Sequence, residues 1–526
     1  MSPACRAPHH HGALDVVVMQ AGRRIFLIEA AALAGASCFS ALGACNGRST
    51  SAPAAPAPAP TRPAPAPPAP TPPEPAPPAP SPVPPATADV GAEASFRSRD
   101  TAARLDSRYA GLSYEKDRLA EPMFTGTNAA LIQLFRLLGP AVLRIGANAV
   151  DRSSWNGAVR GLTPILPAQI DALAAFAQAT EWRVIYGVNL ARNTTANAAT
   201  EAAYVASRLG PSLLAWEIGN EPDLYRRHAY RPSSWGYDDY IKEWRAFRDA
   251  MRQASPDVAF TGPATSFDVG RFTLPFVRDQ GARLSMLTHH YYRADRNDPD
   301  STLALLLQPH LGLLTELSRL VPAAAKEGVA GGVRLDEANS FYNGGVPNIS
   351  NAYGTALWVL DFLFICALAG CTGVNMHGGG SGPGYTPIAD RDGVVVETRP
   401  EFYGMLMFAQ AAEGLALEGT VDADAAINLS VWGVARDDQG LNAALINKDG
   451  TRSVSIELAT GTTATRFDPL WLRGTALEAT GGHTLGGVTI GSDGSWDPQP
   501  QEPMIASEGR IEVLVPPASA VLLRSL

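Results

Sequence analysis

Cysteine is scarce in this chain: 5 in 526 residues, with no Cys-x-x-Cys pair. That excludes a disulfide-built scaffold and a cysteine-based structural zinc site. Charge is also sparse, at 18% of residues, and its balance is acidic, with a formal net charge of -9. A chain without a basic excess is not expected to bind nucleic acid. The glycine-rich stretch Gly378–Gly384 is not followed by Lys-Ser/Thr, so it is no phosphate loop. Its Gly380-Ser381-Gly382 lacks the spacing of a serine nucleophile elbow. No coiled-coil heptads are present, and a monomer is the simplest expectation. His9-His10-His11 sits in a leader and marks no metal site; neither metal nor cofactor is expected. What the chain does have is 46% apolar residues, enough to build a packed core.

The N-terminal segment reads as address and tether. Arg23-Arg24 opens an apolar stretch that closes at Leu42-Gly43-Ala44-Cys45. The paired arginines resemble a twin-arginine export signal, and the tetrapeptide resembles a lipoprotein box with Cys45 as the lipidated residue. Cleavage by an ordinary signal peptidase, giving a free secreted protein, is the alternative. Glu29 interrupts the apolar stretch, which is too weak for a permanent membrane span. Residues 1–18 fit a signal peptide poorly, and Met19 is the better start. Residues 1–45 are thus assigned to export and 46–90 to a linker. Between Ser51 and Ala86 lie 18 of the 43 prolines. Proline fixes φ and lacks a donor, so an extended spacer rising about 3 Å per residue is expected.

From Leu105 onward, short apolar runs alternate with longer amphipathic ones. Strands are expected at Tyr109–Tyr114, Ala141–Gly146, Trp182–Asn189, Leu213–Gly219, Val258–Gly262, Leu284–Tyr291, Gly332–Asp336 and Gly373–His377. Helical spacing marks Pro167–Thr180, Ala198–Leu209, Tyr237–Gln253 and Asn351–Ala369. Eight strand–helix alternations predict an α/β fold, a (β/α)8 TIM barrel over residues 91–414. A doubly wound sheet would bring a glycine-rich turn after its first strand; here that strand ends in Ser113-Tyr114-Glu115. Past Arg399–Gly414, the expected last barrel helix, a two-residue period sets in at Ala426–Ala435, Leu441–Asn447, Val454–Leu458 and Ile511–Leu523. Residues 415–526 are therefore expected to form a β-sandwich, and part of Ala94–Leu105 to pair into it.

In such a barrel, catalytic groups sit at the C-terminal ends of the strands. Asn220-Glu221-Pro222 follows the fourth strand and Asp336-Glu337-Ala338 the seventh. Two glutamates so placed suit a retaining glycosidase, which needs one protonated acid and one ionised nucleophile about 5–5.5 Å apart.

The motifs Gly111–Lys116, Leu143–Gly146, Trp216–Pro222, His289–Tyr292 and Asp336–Ser340 occur in that order. Together they resemble glycoside hydrolase family 79, the β-glucuronidases and heparanases, from about Leu105 to the C-terminus. The resemblance implies Glu221 as acid/base, Glu337 as nucleophile and Asn220 as partner of the sugar 2-hydroxyl. It implies His289 and Tyr291 as subsite residues that hold the nucleophile, Arg144 as the cation keeping Glu337 ionised, and Glu115 and Asn148 as sugar contacts. Tyr342, Asn343, Gly344 and Tyr385 match positions that bind the glucuronate carboxylate.

The expected substrate is a glucuronic acid-containing polysaccharide or glucuronide. The expected mode is heparanase-like endo cleavage inside a heparan sulfate-type glycosaminoglycan, which needs an open basic cleft; Arg226, Arg227, His228, Arg231, Arg293 and Arg296 are candidates to line it. The alternative is an exo-β-glucuronidase that removes terminal glucuronic acid, which needs a closed pocket. A surface carbohydrate-binding protein with an inactive barrel is the alternative from another class. Cys366 and Cys371 are expected either as a disulfide or as two buried thiols.

Overall fold

The computed structural model describes residues 88–526, residue 425 excepted. The export segment with Cys45, and all but the end of the proline-rich linker, lie outside the described residues.

Eight parallel strands close a barrel: Ala110–Glu115, Val142–Gly146, Arg183–Val188, Leu213–Ile218, Phe260–Thr265, Leu284–Asp295, Val333–Tyr342 and Cys371–Gly378. They are called barrel strands one to eight below. Runs such as Val142–Gly146, buried at every residue and apolar except for Arg144, form them. A parallel strand covered by helices has no solvent face, so it need not alternate. Three strands run further than their apolar stretches. The fifth reaches Thr265, the sixth Asp295 and the seventh Tyr342. Their C-terminal halves turn polar because they enter the barrel mouth.

The helices begin and end on local chemistry. Pro167 opens Pro167–Thr180 at a position with no intrahelical N–H bond to lose. The Thr194 hydroxyl accepts from Asn197 N–H at the start of Thr195–Leu209. Gly354–Leu368 is buried on almost every residue, because it lies between the barrel and the second domain. Its one charge, Asp361, accepts from Trp432 Nε1 at 2.7 Å and pairs with the buried Lys448, both on the β-domain. Cys366 and Cys371, at the end of this helix and the start of the eighth strand, are buried free thiols.

The second domain is a mostly antiparallel sheet system built on Gly414–Ala423, Leu429–Ala435, Leu441–Asn447, Val454–Ala459, Arg466–Arg473, Arg510–Val515 and Ser519–Ser525. The segment expected as one strand at Ile511–Leu523 is two, parted at Pro516-Pro517. The first described strand, Val90–Arg97, belongs here too. It pairs antiparallel with Gly414–Ala423 and parallel with Val454–Ala459. Assigning all of 91–414 to the barrel is therefore corrected: Ala92 and Ala94 are buried in the β-domain core, and the barrel is inserted between its first and second long strands.

Candidate active site

Barrel strands four and seven deliver the two glutamates. After strand four the chain turns sharply at Gly219, with φ +81°. A Cβ there would come within 2.6 Å of the Tyr225 hydroxyl, so only glycine fits. Glu221 itself sits in the left-handed region, φ 48° and ψ 56°, a conformation that costs a non-glycine residue of order 1–3 kcal/mol. The neighbouring backbone holds it there: Glu221 N–H donates to Ala264 O at 2.8 Å. Asp223, two residues on, accepts from the N–H groups of Ser266, Phe267 and Asp268, tying this turn to the loop after strand five.

Strand seven carries a bulge. On one side its pairing steps from His289 opposite Leu335 to His290 opposite Glu337, and on the other from Leu335 to Ala338. An extra residue in a strand re-aims its neighbours. As a result the consecutive Asp336 and Glu337 both point into the barrel.

The carboxylate oxygens of Glu221 and Glu337 come within 4.8 Å of one another. Glu337 Oε2 accepts from Arg144 Nη1 at 2.7 Å, and Oε1 accepts from the Tyr292 hydroxyl at 2.9 Å. Burial alone would raise its pKa, but His377, His290 and Arg144 beside it and the Tyr292 hydrogen bond outweigh it. Glu337 is held well below the usual carboxylate range, as an attacking carboxylate must be. Arg144 is fully buried and also donates from Nε to Glu217 at 2.7 Å and from Nη2 to Asn220 Oδ1 at 2.8 Å. That bond orients the Asn220 amide and leaves its buried Nδ2 with no acceptor among the described residues. A donor in that state suits a substrate hydroxyl. Glu115 behaves in the opposite way to Glu337. Burial first, and then the Glu337 charge, push it up to about 8, against the Ala149 N–H bond.

These groups open into a cleft of about 720 Å³. Glu115, Asn148, Glu221, Glu337, Tyr342, Asn343, Gly344 and Tyr385 all line it. Asn220 and Arg144 are not among its lining residues and are buried next to the glutamates. His289 and Tyr291 do not reach the cleft, and their assignment is corrected. His289 bonds Thr265 at 3.0 Å, and Tyr291 bonds His310 at 3.0 Å and stacks on Phe362. Both face the surrounding helices. The inward positions are Thr288, His290 and Tyr292: Thr288 bonds Glu217, His290 Nδ1 lies 2.9 Å from Glu221 Oε1, and Tyr292 holds Glu337. Side chains do alternate along this strand, as expected, but with the opposite parity.

Sequence reasoning also missed His377, which lines the cleft from strand eight, and Phe267, which stands 49% exposed at its rim against Tyr342. A histidine ending a barrel strand was a readable signal for the first. Nothing in the sequence marked the second.

Glu221, His290 and Glu337 have the composition of a cation site. Both Glu337 oxygens already accept from Arg144 and Tyr292, however, and the guanidinium opposes a second cation at the same carboxylate.

No family model matches the chain. Among curated proteins it is 28% identical over 309 residues to a β-glucuronidase of Aspergillus niger, covering 52% of this chain and 54% of that protein. It is 27% identical over 232 residues to a heparanase of Gallus gallus, covering 40% of this chain and 41% of that protein. The chain thus spans about half the length, or less, of the curated relatives it matches. Among solved structures, a 4-O-α-L-rhamnosyl-β-D-glucuronidase from Fusarium oxysporum superposes with a TM-score of 0.68 at 19% identity, over 82% of this chain and 100% of that one. A family 51 arabinofuranosidase from Xanthomonas axonopodis does so with a TM-score of 0.60 at 15% identity, over 83% of this chain and 100% of that one. The solved structures share the fold. The curated relatives, with the ordered motifs, support the resemblance to glycoside hydrolase family 79.

Proposed function

We propose that this chain is a retaining β-glucuronidase, with Glu337 as nucleophile and Glu221 as acid/base. The observation that carries the reading is the pair of carboxylates within 4.8 Å at the ends of barrel strands four and seven. Inverting enzymes hold theirs about 6.5–9.5 Å apart to admit a water. In the first step Glu337 attacks the anomeric carbon while Glu221 gives its proton to the departing oxygen. In the second, Glu221 takes a proton from water, which displaces Glu337 from the sugar. Asn220 Nδ2 is the donor for the 2-hydroxyl.

A sugar carboxylate is best received by Tyr385 and by the Gly344 N–H, which has no acceptor among the described residues. Tyr342 is a poorer donor, since the Asp295 charge lies beside it.

Internal cleavage of a sulfated chain asks for a run of free cations along the cleft. Arg231 is paired with Glu243, and Arg226, Arg293 and Arg296 keep their charge but do not line the cleft. Arg227 and His228 line the cleft, where Arg152 joins them, and Arg227 and Arg152 have no acidic partner among the described residues. That sparse set supports release of terminal glucuronic acid over heparanase-like internal cleavage. The same reading takes the protein as exported, with Cys45 as a lipid anchor and the proline-rich segment as tether.

The test is hydrolysis of aryl β-glucuronides against aryl β-glucosides, with the anomer of the first product read by NMR. Wild type is expected to prefer the glucuronide and release the β-anomer, and Tyr385→Phe to lose that preference. Heparan sulfate digestion followed by size-exclusion chromatography separates the modes, since internal cleavage shortens the chains early. Binding of glucuronides without turnover would instead support a carbohydrate-binding protein.

A further inference from the structure

The rim of the cleft carries an apolar side chain to which the mechanism above gives no part. Phe267, on the loop after barrel strand five, is 49% exposed, and it is the one exposed aromatic among the described residues. A single exposed apolar residue on a protein surface needs no explanation, but three observations set this one apart. It lines the same cleft as Glu221 and Glu337. Its ring meets Tyr342, another lining residue, edge to face, with 5.7 Å between centroids and 68° between planes. Its backbone is also fixed. The N–H groups of Ser266, Phe267 and Asp268 all donate to Asp223, at 3.1, 2.9 and 3.0 Å, and Val269 N–H donates to Phe267 O at 3.0 Å. A ring already held in place loses little freedom when a ligand covers it.

The tether shows which part of a substrate the ring meets. Asp223 lies two residues beyond Glu221, so the acid/base and Phe267 belong to one connected rim. Glu221 protonates the departing oxygen, and the leaving group therefore lies on this side, at the loops after strands four and five. The sugar extends the other way, from Glu337 towards Gly344 and Tyr385 after strands seven and eight. Besides Glu221, the two loops give the cleft Leu224, Arg227, His228, Tyr230, Ser266 and Phe267. Leu224 and Phe267 have no polar side-chain atom, Arg227 and His228 are exposed, and Arg192 lies over the Tyr230 ring at 5.0 Å from its centroid. A sugar in this place brings several hydroxyls that lose water and need partners, whereas Ser266 and Tyr230 offer one hydroxyl each. A planar phenol brings one polar atom, the departing oxygen itself, and Glu221 serves it.

We infer that the leaving-group side of the cleft is a subsite for an aromatic aglycone: a planar phenol joined to glucuronic acid stacks on Phe267 while Glu221 protonates its oxygen. This rests on the reading of the site as a β-glucuronidase with Glu221 as acid/base. The bond from the anomeric carbon to the phenolic oxygen breaks, and its electron pair stays with the oxygen, which takes the Glu221 proton. The anomeric carbon becomes bonded to Glu337 until water releases it. Phe267 makes and breaks no bond; it binds the ring that departs. An aromatic pair adds about a 2- to 12-fold effect beyond the area it buries.

Two measurements test this, and one needs no turnover. The first compares methylumbelliferyl glucuronide with methyl glucuronide, which share the sugar and differ in the aglycone. Phe267→Ala is expected to lower kcat/KM on the aryl substrate by about 2- to 12-fold more than on the methyl one. Phe267→Trp keeps a flat ring and should keep the aryl preference, while Phe267→Leu keeps apolar bulk without a flat face and should lose it. An equal loss on both substrates would mean that Phe267 only shapes its loop, and no loss on either would mean that it does not act. A disaccharide with glucuronic acid on an amino sugar that loses more than the aryl substrate would make the platform a sugar subsite. Each of these overturns the inference. The second measurement is saturation-transfer NMR of the full chain with the free phenol, methylumbelliferone. Transfer to its ring protons is expected in wild type and not in Phe267→Ala; transfer that survives the substitution, or is absent from wild type, overturns the inference. If wild type cleaves no glucuronide, it is the functional reading that fails, and the phenol experiment still decides whether Phe267 is an aromatic platform.

Discussion

Tyr292→Phe removes one oxygen from the site, and with it the bond to Glu337 and a longer contact with the Tyr385 hydroxyl at 3.4 Å. The hydroxyl donates to Glu337 Oε1 at 2.9 Å, while the ring keeps its neighbours Tyr385 and Tyr342, 5.8 and 6.4 Å away between centroids. A hydrogen bond to an ionised group is worth about 1.5–3 kcal/mol. At 1.36 kcal/mol per factor of ten, its loss lowers kcat/KM roughly 10- to 150-fold if the bond matters in full to the transition state. The pH profile supplies a second signature. Glu337 must be ionised to attack, and Tyr292 is one of the groups that depress its pKa. Without that donor the pKa rises, so the acid limb of kcat/KM moves to higher pH and the defect is largest in acid. The assay is the pH dependence of aryl glucuronide hydrolysis, with Tyr291→Phe as the paired variant. Tyr291 bonds His310 away from the cleft, so its variant is expected to behave like wild type with an unmoved acid limb. If Tyr291→Phe loses as much as Tyr292→Phe, or if the acid limb of Tyr292→Phe stays in place, the inward parity of this strand is misread.

Three further outcomes are expected. Arg144→Met leaves Glu217, Asp336 and Glu337 buried around a missing cation; breaking such a pair costs about 3–5 kcal/mol, readable as a lowered urea or thermal midpoint. Treatment with EDTA is expected to leave glucuronide hydrolysis unchanged, since Arg144 takes the place of a cation at Glu337; a loss restored by a divalent metal would refute this. Deleting residues 88–97 exposes the edges of Gly414–Ala423 and Val454–Ala459, and the protein should then aggregate or partition into the insoluble fraction.

The barrel was legible because each of its strands is built around a short, largely apolar run, and all eight lie where those runs fall. Their ends were not, because the residues that make a site interrupt the pattern that marks a strand: Thr265, Asp295 and Tyr342 each close a strand beyond its apolar stretch. The glutamates were legible through their neighbours, Asn220 and Pro222 for one and the Asp336–Ser340 run for the other. The sixth strand was the hard case. His289-His290-Tyr291-Tyr292 offers a histidine and a tyrosine on each face, so period-two alternation alone has no way to choose between them. Thr288 and Met286 settle the parity through contacts inside the barrel, with Glu217 and with the Val142–Ile185 cluster, and such contacts exist only in three dimensions. The double inward turn of Asp336 and Glu337 depends on a bulge, which composition does not announce.

The strand Val90–Arg97 has a consequence for synthesis. Its antiparallel partner begins at Gly414, so the whole barrel is made between the two. At 5–20 residues per second the wait is on the order of 15–60 s. The barrel can close during that interval on local strand–helix units alone, while the first strand stays an open edge. Glu93 and Arg97 give that edge charges of both signs, the kind of feature that discourages pairing with a stranger. The last long strand then completes the domain that the first one opened. The order of assembly is set by where the catalytic barrel was inserted, and an arrested ribosome would hold a folded barrel beside an unfinished sheet.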